Sequence, residues 1–283
     1  MKTIIKKVRV RKVFLVVLGC YGLLGILRAS WAAPAAGEVP EPPSGMRFIV
    51  GGVYTPLFKA EGVEQTTTVA PFYLDIYPVT NAQYVAFVQA NRRWRRSQVS
   101  PLLADATYLH HWQADFPLPE VAATLAQRPV TYVSWFAARA YCRWQQKRLP
   151  RSAEWEYVAL ASETAPDGRT DPGYQARLLE WYTRPAPSVP PLIGSGQKNY
   201  WGIYDLHGSI WEWVADFQAA FATGAARGDK EAEGDRFCGF GAFAVSEQER
   251  VNYPAFLRDA YRSSLRGTYT LHNLGFRCAK DLP

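Results

Sequence analysis

The sequence predicts a domain that combines a few short strands and short helices with long ordered loops. Apolar and polar residues alternate in two short segments, as they do in half-buried strands. Capping residues precede short runs of apolar residues at helical spacing, and Pro, Gly and polar residues fill the stretches between them. Of the 283 residues, 48% are apolar and 14% are aromatic, which suffices for a packed core and excludes a disordered chain.

Two strands are predicted near the start of this domain. The segment MRFIVGGVY at 46–54 alternates apolar and polar residues, and FYLDIYPV at 72–79 is a second strand signal. Residues 33–45 are rich in Pro and Ala and have no periodicity. We therefore interpret 33–45 as a flexible linker and 46–283 as the folded domain.

Three short helices are predicted next. A cap at Thr80 or Asn81 opens AQYVAFVQAN. Ser134 caps WFAARAYCRWQQ, and Ser152 starts AEWEYVAL. Four residues of the second helix are predicted to lie near one face: Trp135, Ala138, Cys142 and Trp144. Four residues in and before the third helix are expected to form buried polar contacts: Arg148, Glu154, Trp155 and Glu156.

Two long stretches show no regular periodicity. Residues 160–200 contain many Pro, Gly and polar residues, and 218–250 contain the charged run RGDKEAEGDR. We predict loops in both stretches. Loops of this length inside a compact domain need fixation by other contacts, such as a metal ion or a disulfide.

The excess positive charge of the chain lies in its first 32 residues. These contain seven Lys and Arg residues and no acidic residue, while the formal net charge of the whole chain is +7. The remaining residues are therefore formally neutral. A neutral domain has no electrostatic footprint for a polyanion, which argues against binding to nucleic acid.

The same residues have the layout of a secretory signal peptide. A basic start, MKTIIKKVRVRK, precedes the apolar run VFLVVLGCYGLLGIL and the small residues of RASWAAPAAG. We predict a signal peptide at 1–32 and a periplasmic or otherwise exported protein. The alternative is an uncleaved leader, which would then be the only contact of the chain with a membrane.

Four segments, in this order and spacing, resemble the formylglycine-generating enzyme (sulfatase-modifying factor) family. They are FYLDIYPVTNAQYVAFV (72–88), RPVTYVSWFAARAYCRWQQKRLPRSAEWEYVA (128–159), GIYDLHGSIWEWVADF (202–217) and RSSLRGTYTLHNLGFRCAKD (262–281). The resemblance implies an α+β fold of the elaborated C-type-lectin-like kind, poor in regular secondary structure. It also implies short antiparallel sheets with flanking helices.

The resemblance implies a structural calcium site on the turn YDLHGSIWEW. The ligands would be the side chains of Asp205 and Glu212 and the backbone carbonyls of Gly208 and Ile210. Hard oxygen donors around a glycine in a tight turn suit Ca²⁺. The alternative is that two ordinary acidic residues flank the turn.

The cysteines bear on the reaction. The oxidising members of the family hold Cu(I) between two cysteines five positions apart, a ligand set that suits this soft ion. Here the corresponding segment contains Cys238, and Phe243 stands five positions later. One thiol cannot reproduce a two-thiolate site, so standard formylglycine formation is not expected. The resemblance aligns Cys142 and Cys278 with a structural disulfide of the family.

Cys238 is nevertheless the candidate catalytic residue. It lies among glycines and aromatic residues in Arg-Phe-Cys-Gly-Phe-Gly, where the backbone can approach a ligand closely. Together with His207 or His272 it would form a copper or iron site of different composition. The alternative is a free cysteine that packs as a small apolar side chain.

Three functions are compatible with these observations. The first is an exported accessory or maturation factor for a periplasmic redox or metal enzyme, which acts on a protein partner. The second is a metal-dependent oxidase, an oxidoreductase with a variant site at Cys238. The third is a non-catalytic lectin-like module that binds a peptide or glycan. The missing cysteine pair favours the first and the third.

Overall fold

The structure is a computed structural model that describes residues 41–56, 66–217 and 247–283. Its strands are β1 (Met46–Ile49), β2 (Gly52–Tyr54), β3 (Thr67–Val69), β4 (Phe72–Asp75), β5 (Trp211–Glu212), β6 (Leu274–Gly275) and β7 (Ala279–Asp281). Its helices are α1 (Asn81–Ala90), α2 (Pro119–Leu125), α3 (Trp135–Trp144), α4 (Ser152–Ala159), α5 (Pro172–Thr183) and α6 (Glu247–Ser264). Short 3-10 turns lie at Arg92–Trp94 and His110–Trp112.

Strand β4 is the centre of a three-stranded antiparallel sheet in the order β1-β4-β7. Met46 lies opposite Asp75 in the first pair, and Leu74 lies opposite Ala279 in the second. All four residues of β4 are buried. Strands β2 and β3 form an antiparallel pair, whereas β5 and β6 pair in parallel. Helices and short sheets in one domain confirm the α+β prediction, although the β5–β6 pair departs from the antiparallel expectation.

The predicted helix starts agree with the structure. The Thr80 hydroxyl accepts a hydrogen bond from the backbone N–H of Gln83, and the Gln83 side chain accepts one from the Thr80 N–H. This reciprocal pair is a capping box, which satisfies two free donors at the start of α1. The Ser134 hydroxyl accepts from the Ala137 N–H at the start of α3, and α4 begins at Ser152.

The two predicted strands are shorter than expected. The segment at 46–54 is divided into β1 and β2, because Gly51 has a φ of 74°. A Cβ atom at Gly51 would also lie 2.3 Å from the carbonyl oxygen of Val69. The strand predicted at 72–79 ends at Asp75, where the chain turns toward the cap of α1.

The prediction of loops throughout 160–200 was wrong. Helix α5 occupies Pro172–Thr183, and the Asp171 carboxylate accepts hydrogen bonds from the N–H groups of Gly173 and Tyr174. Proline at the first helical position and an Asp cap before it are a start signal for a helix. Tyr174 and Leu178 lie one turn apart and are buried. Packing of this face against the domain therefore stabilises the helix beyond its capped start.

The stretch predicted as irregular at 218–250 lies largely outside the described residues. Its last four positions begin helix α6, so the prediction was wrong there. Most of the predicted linker and the whole predicted signal peptide also lie outside the described ranges. Across the described part of the chain, no helix has both the length and the apolar character needed to cross a membrane.

Aromatic side chains between α1 and α3 form much of the core. The ring of Tyr84 stacks on that of Tyr141 with 5.7 Å between centroids, and Phe87 meets Tyr141 edge to face at 5.5 Å. The hydroxyl groups of Tyr84 and Tyr108 lie 2.8 Å apart, so these two buried phenols hydrogen-bond to each other. Each buried phenol thus retains a polar partner inside an apolar core.

Trp144 does not share the face of α3 on which it was predicted to lie with Ala138 and Cys142. Ala138 and Cys142 are fully buried, but the Trp144 side chain is 41% exposed. Two positions beyond Cys142, Trp144 is rotated by about 200° around the helix axis and cannot share its face. One side of the indole packs on Phe87, with ring centroids 5.6 Å apart, and the rest faces solvent.

A disulfide joins α3 to the C-terminal end of the domain. Cys142 and Cys278 are bonded to each other across 136 positions of sequence, with 5.6 Å between their Cα atoms. Both cysteines are fully buried. This is the pair that the resemblance implies. It fixes the central helix against the segment that leads into β7.

We predict that removal of this disulfide destabilises the protein. The double variant Cys142→Ala/Cys278→Ala should lose about 2–5 kcal/mol in free energy of unfolding, because the unfolded chain regains the freedom of a long closed loop. Chemical denaturation measures the loss, and Cys238→Ala serves as the control that leaves the bond intact. Peptide mapping without reductant should recover Cys142 joined to Cys278; a bond from either residue to Cys238 would contradict the assignment.

Candidate functional site

A buried ion pair joins β5 to the C-terminal segment. The side chains of Glu212 and Arg277 are both fully buried, and their closest nitrogen and oxygen atoms lie 2.7 Å apart. Arg277 also donates to the backbone oxygens of Asp75, Ile76 and Tyr204. All five of its N–H groups therefore have acceptors, so the buried charge is fully compensated.

The carboxylate of Glu212 is equally well occupied. Arg277 Nε lies 3.0 Å from Oε1 and 2.8 Å from Oε2, and Arg277 Nη2 lies 2.7 Å from Oε1. The indole N–H of Trp155 donates to Oε2 over 2.8 Å. Nitrogen donors thus fill the acceptor positions of Glu212 from both sides.

The turn that carries the other predicted calcium ligands has a left-handed backbone at two positions. Asp205 has a φ of 59° and Gly208 a φ of 87°, a conformation that glycine adopts without strain. The Asp205 carboxylate accepts hydrogen bonds from the N–H groups of Gly194 and Gly196. Burial raises the pKa of Asp205, and these hydrogen bonds oppose the rise. Ile210 is buried two positions before Glu212.

The described geometry does not fit Glu212 as a calcium ligand. Calcium needs about six to eight oxygen donors, whereas both oxygens of Glu212 face nitrogen donors and the positive charge of Arg277. Within the described ranges, no group of three or more His, Cys, Asp or Glu side chains is arranged to hold a metal ion. Each oxygen of Asp205 accepts one backbone N–H, and calcium binding at the turn stays a prediction from the sequence.

A cavity of about 470 Å³ opens beside this turn, between α5 and the segment 196–208. Trp181 of α5, Asp205, His207 and Gly208 line it. The volume lies in the range of small-molecule and peptide side-chain pockets. The predicted calcium residues Asp205 and Gly208 therefore border a real cavity, while Ile210 and Glu212 do not line it.

His207 is held at this cavity as a neutral imidazole. Its Nε2 lies 3.0 Å from the carbonyl oxygen of Ala159 and therefore carries the hydrogen. Its Nδ1 then accepts from the Tyr182 hydroxyl, 3.5 Å away. Burial and the nearby charge of Arg258 lower the pKa of His207 to about 4. The ring packs edge to face against Trp155 and three other aromatic rings.

A second ion-pair cluster joins α4 to α6. Glu156 accepts from Arg258 Nη2 and Arg262 Nη1, each over 2.6 Å. Burial alone would raise the pKa of Glu156, but the two guanidinium groups lower it to about 2. Both groups also lie over the ring of Trp155, at 5.6 and 4.8 Å from its centroid. The buried polar contacts predicted for Trp155 and Glu156 are confirmed.

Hydrogen bonds connect this cluster to the cavity. Arg258 Nη1 donates to the Tyr182 hydroxyl over 3.0 Å, and that hydroxyl is the donor to His207. The path from Glu156 to His207 therefore runs through Arg258 and Tyr182. The other predicted contact is present as well, since Arg148 forms an ion pair with Glu154.

A larger open groove of about 660 Å³ lies on another part of the surface, along the loop 96–115. Its polar side chains bond to the loop itself. Arg96 donates to the carbonyl oxygens of Tyr108 and Gln113, and Asp115 accepts from the N–H and hydroxyl of Ser97. These bonds hold the loop in shape and leave the groove without a free charged group aimed into it.

The remaining candidate residues are not brought together. Cys238 lies outside the described residues, so the structure does not place it relative to His207. His272 is exposed, whereas His207 is enclosed by aromatic rings. Arg277 was not among the predicted site residues. It stands between apolar residues in GFRC, and an arginine in such a segment indicates an internal ion pair. Tyr182 was not predicted either, because the Asp171 cap that marks the start of α5 was not recognised.

We predict that Glu212→Gln lowers the free energy of unfolding by about 3–5 kcal/mol, because it leaves the charge of Arg277 buried without a partner. The matched control is Glu180→Gln, which removes an exposed ion pair with Arg184 and should cost less than about 1 kcal/mol. Urea unfolding with and without EDTA measures both. The Glu212 loss should be equal in the two conditions. A loss that disappears in EDTA would instead assign Glu212 to calcium.

We predict that His207 makes stability depend on mildly acidic pH. Its folded pKa of about 4 lies below the ordinary value of 6.5, so the unfolded state binds the proton first. Up to about 3 kcal/mol of stability should therefore be lost as pH falls from 6.5 to 4. His207→Gln should reduce this slope, and His272→Gln, at an exposed position, should not. Burial also lowers the pKa of His111 to about 4. His111 therefore contributes equally to the pH dependence of stability in both variants. Equal slopes in wild type and His207→Gln would contradict the prediction.

Comparison with known proteins places this geometry in a family. The family profile described as "Sulfatase-modifying factor enzyme 1-like domain" matches residues 33–282. The formylglycine-generating enzyme of Bos taurus is 28% identical, covering 90% of this chain and 80% of that protein. The formylglycine-generating enzyme of Streptomyces coelicolor is 30% identical, covering 84% of this chain and 87% of that protein.

Similarity also extends to a relative named as inactive and to solved structures. The "Inactive C-alpha-formylglycine-generating enzyme 2" of Bos taurus is 30% identical, covering 70% of this chain and 78% of that protein. The structure of PvdO from Pseudomonas aeruginosa has a TM-score of 0.46 and 18% identity, covering 84% of this chain and 94% of that one. Because the family profile spans nearly all of the domain, this chain belongs to the sulfatase-modifying factor (formylglycine-generating enzyme) family.

Proposed function

We propose that this protein is an exported member of the family that does not form formylglycine and serves as an accessory or maturation factor. Its partner is a protein, and the partner class is a periplasmic redox or metal enzyme. The observation that carries the proposal is the number of free cysteines beyond the leader. The leader at 1–32, which has the layout of a signal peptide, supports export.

The cysteines beyond the leader leave a single thiol. Cys142 and Cys278 are joined in a buried disulfide, and Cys238 is the one other cysteine of that part of the sequence. Phe243, five positions after Cys238, has no atom that binds a metal. A two-thiolate copper site therefore does not fit the residues present, because soft Cu(I) is held there by two sulfur ligands.

The relatives support a protein partner and permit the loss of the reaction. Formylglycine is an amino-acid residue, so the relatives named formylglycine-generating enzymes act on polypeptides. The chain is as similar to a relative named inactive as it is to one named as the enzyme, at 30% identity to each. Membership of the family is thus compatible with a binding role that keeps the fold and the cavity without the oxidation.

The cavity beside α5 supports a binding role. Besides the imidazole of His207, it is lined by two aromatic rings and by arginine and carboxylate side chains of both charges. The imidazole of His207 is already engaged by Ala159 and Tyr182. Groups held in this way orient a bound side chain by shape and hydrogen bonds, which suits recognition of a polypeptide segment.

We predict that the purified protein does not convert cysteine to an aldehyde. The test incubates the copper-treated protein with a Cys-x-Pro-x-Arg peptide under oxygen and detects aldehyde by mass spectrometry. The formylglycine-generating enzyme of Streptomyces coelicolor is the positive control. No aldehyde above the level of the peptide alone is expected, because Cys238 has no second thiolate.

Two results of this assay would contradict the prediction. Aldehyde that forms with wild type and disappears in Cys238→Ala would replace the accessory function by a variant oxidase centred on Cys238. Aldehyde that persists in Cys238→Ala would also contradict the proposal and would place the reaction at other residues. Melting curves of the wild type and the variant establish that both are folded.

A further inference from the structure

Two segments of the domain contain several arginines and no acidic residue of their own. The sequence contains no Asp or Glu at 76–104 or at 121–153, yet these two segments contain ten Lys and Arg residues. They form α1 with its following 3-10 turn, and α3, and these elements pack side by side. The positive charge of both segments is thereby gathered on one part of a formally neutral domain.

Four of these arginines are exposed and have no ion-pair partner in the described part of the chain. Arg92 and Arg93 lie on the 3-10 turn after α1, and Arg139 and Arg143 lie one turn apart on α3. Other basic residues of the two segments are neutralised: Lys147 pairs with Asp75, and Arg148 and Arg151 pair with Glu154.

An exposed tryptophan lies beside these arginines. The ring of Trp144 packs on Phe87, with 5.6 Å between centroids, and Phe87 in turn contacts the ring of Trp94 at 6.3 Å. The guanidinium of Arg93 lies 5.1 Å from the centroid of that Trp94 ring. Trp144 therefore belongs to the same row of rings as Trp94, beside Arg93, and it directly follows Arg143 on α3 with 41% of the residue exposed. The guanidinium of Arg139 instead lies 5.1 Å from the centroid of the Trp135 ring.

We propose that Arg92, Arg93, Arg143 and Trp144, here termed the arginine face, dock an acidic segment of the protein partner. The inference rests on the proposed function only in taking the partner to be a protein. Guanidinium groups bind carboxylates through two parallel hydrogen bonds. Tryptophan and arginine are also the residues that dominate the energy of protein interfaces.

The charge balance favours an acidic protein segment over an extended polyanion. The domain as a whole is formally neutral without the leader, so its acidic surface elsewhere repels a long polyanion or an anionic membrane. A short acidic segment meets only the arginine face.

Fluorescence anisotropy tests this docking with a labelled peptide of alternating Glu and Ser. The protein is isolated from the exported fraction, and mass spectrometry verifies loss of the basic leader. Binding should weaken as salt increases. The variant Arg92→Gln/Arg143→Gln should bind roughly threefold to thirtyfold more weakly, since each exposed charge pair contributes modestly. The matched control Arg47→Gln/Arg266→Gln removes two exposed arginines from other elements and should bind as wild type does.

A second arm separates a docking surface from a mere concentration of charge. Trp144→Ser removes no charge, and it should weaken binding of the same peptide, whereas Trp144→Phe should restore it. Thermal melting establishes that both variants are folded. Loss of affinity in the charge variant without loss in Trp144→Ser would remove Trp144 from the face and overturn the proposal as stated.

Three further outcomes would overturn the docking proposal. Equal affinity of Arg92→Gln/Arg143→Gln and wild type is one, and equal losses in this variant and its matched control are another. The third is tighter binding, at equal charge concentration, to phosphatidylcholine–phosphatidylglycerol vesicles or to a single-stranded oligonucleotide. None of these results depends on the aldehyde assay, which measures turnover, so failure of the proposed function and failure of this inference are distinguishable.

Discussion

The buried pair of Glu212 and Arg277 is the constraint on which the rest of the domain depends. Arg277 donates to backbone oxygens at the end of β4 and in the turn at Tyr204, while Glu212 accepts from the indole of Trp155. Three distant parts of the chain are thus tied to one desolvated charge pair. A single missing partner would leave a charge in an apolar interior, which is among the costliest errors a fold can contain.

The same pair explains why a domain with so little regular structure is well defined. Its sheets contain two or three short strands, and ladders of this length do not fix a loop-rich chain by themselves. Side-chain ion pairs that reach the backbone of loops supply the missing specification. Glu156 acts in the same way on α6. Its ion pairs with Arg258 and Arg262 fix the C-terminal half of α6 in one position against α4.

Much of the fold was predictable because its signals are local. The caps of α1 and α3 need only Thr80 and Ser134 with the residues three positions later, and the family resemblance supplied the disulfide pair. Helix α5 was missed because its Asp171 cap lies inside a stretch dominated by loop-forming residues. Trp144 was predicted to lie near one face with Cys142, although its angle around the helix axis is opposite to that of Cys142.

The candidate site was less predictable because its partners are far apart in sequence. Glu212 was predicted as a calcium ligand through the family resemblance of its turn, and its partner in the structure, Arg277, is 65 positions away. The role of Tyr182 depends on where α5 packs, which no local pattern encodes. The Cys238 segment lies outside the described residues, so its prediction stands on the sequence.

The position of β7 in the central sheet has a consequence for how the protein is made. Strand β4 is flanked on one side by β1 and on the other by the last strand of the chain, and Arg277 and Cys278 directly precede that strand. A chain that is synthesised from its N-terminus lacks β7, the counter-charge for Glu212 and the second cysteine until about 200 residues have followed β4. Contacts of such long range form slowly, so the central sheet, the buried ion pair and the disulfide close together as a late step of folding.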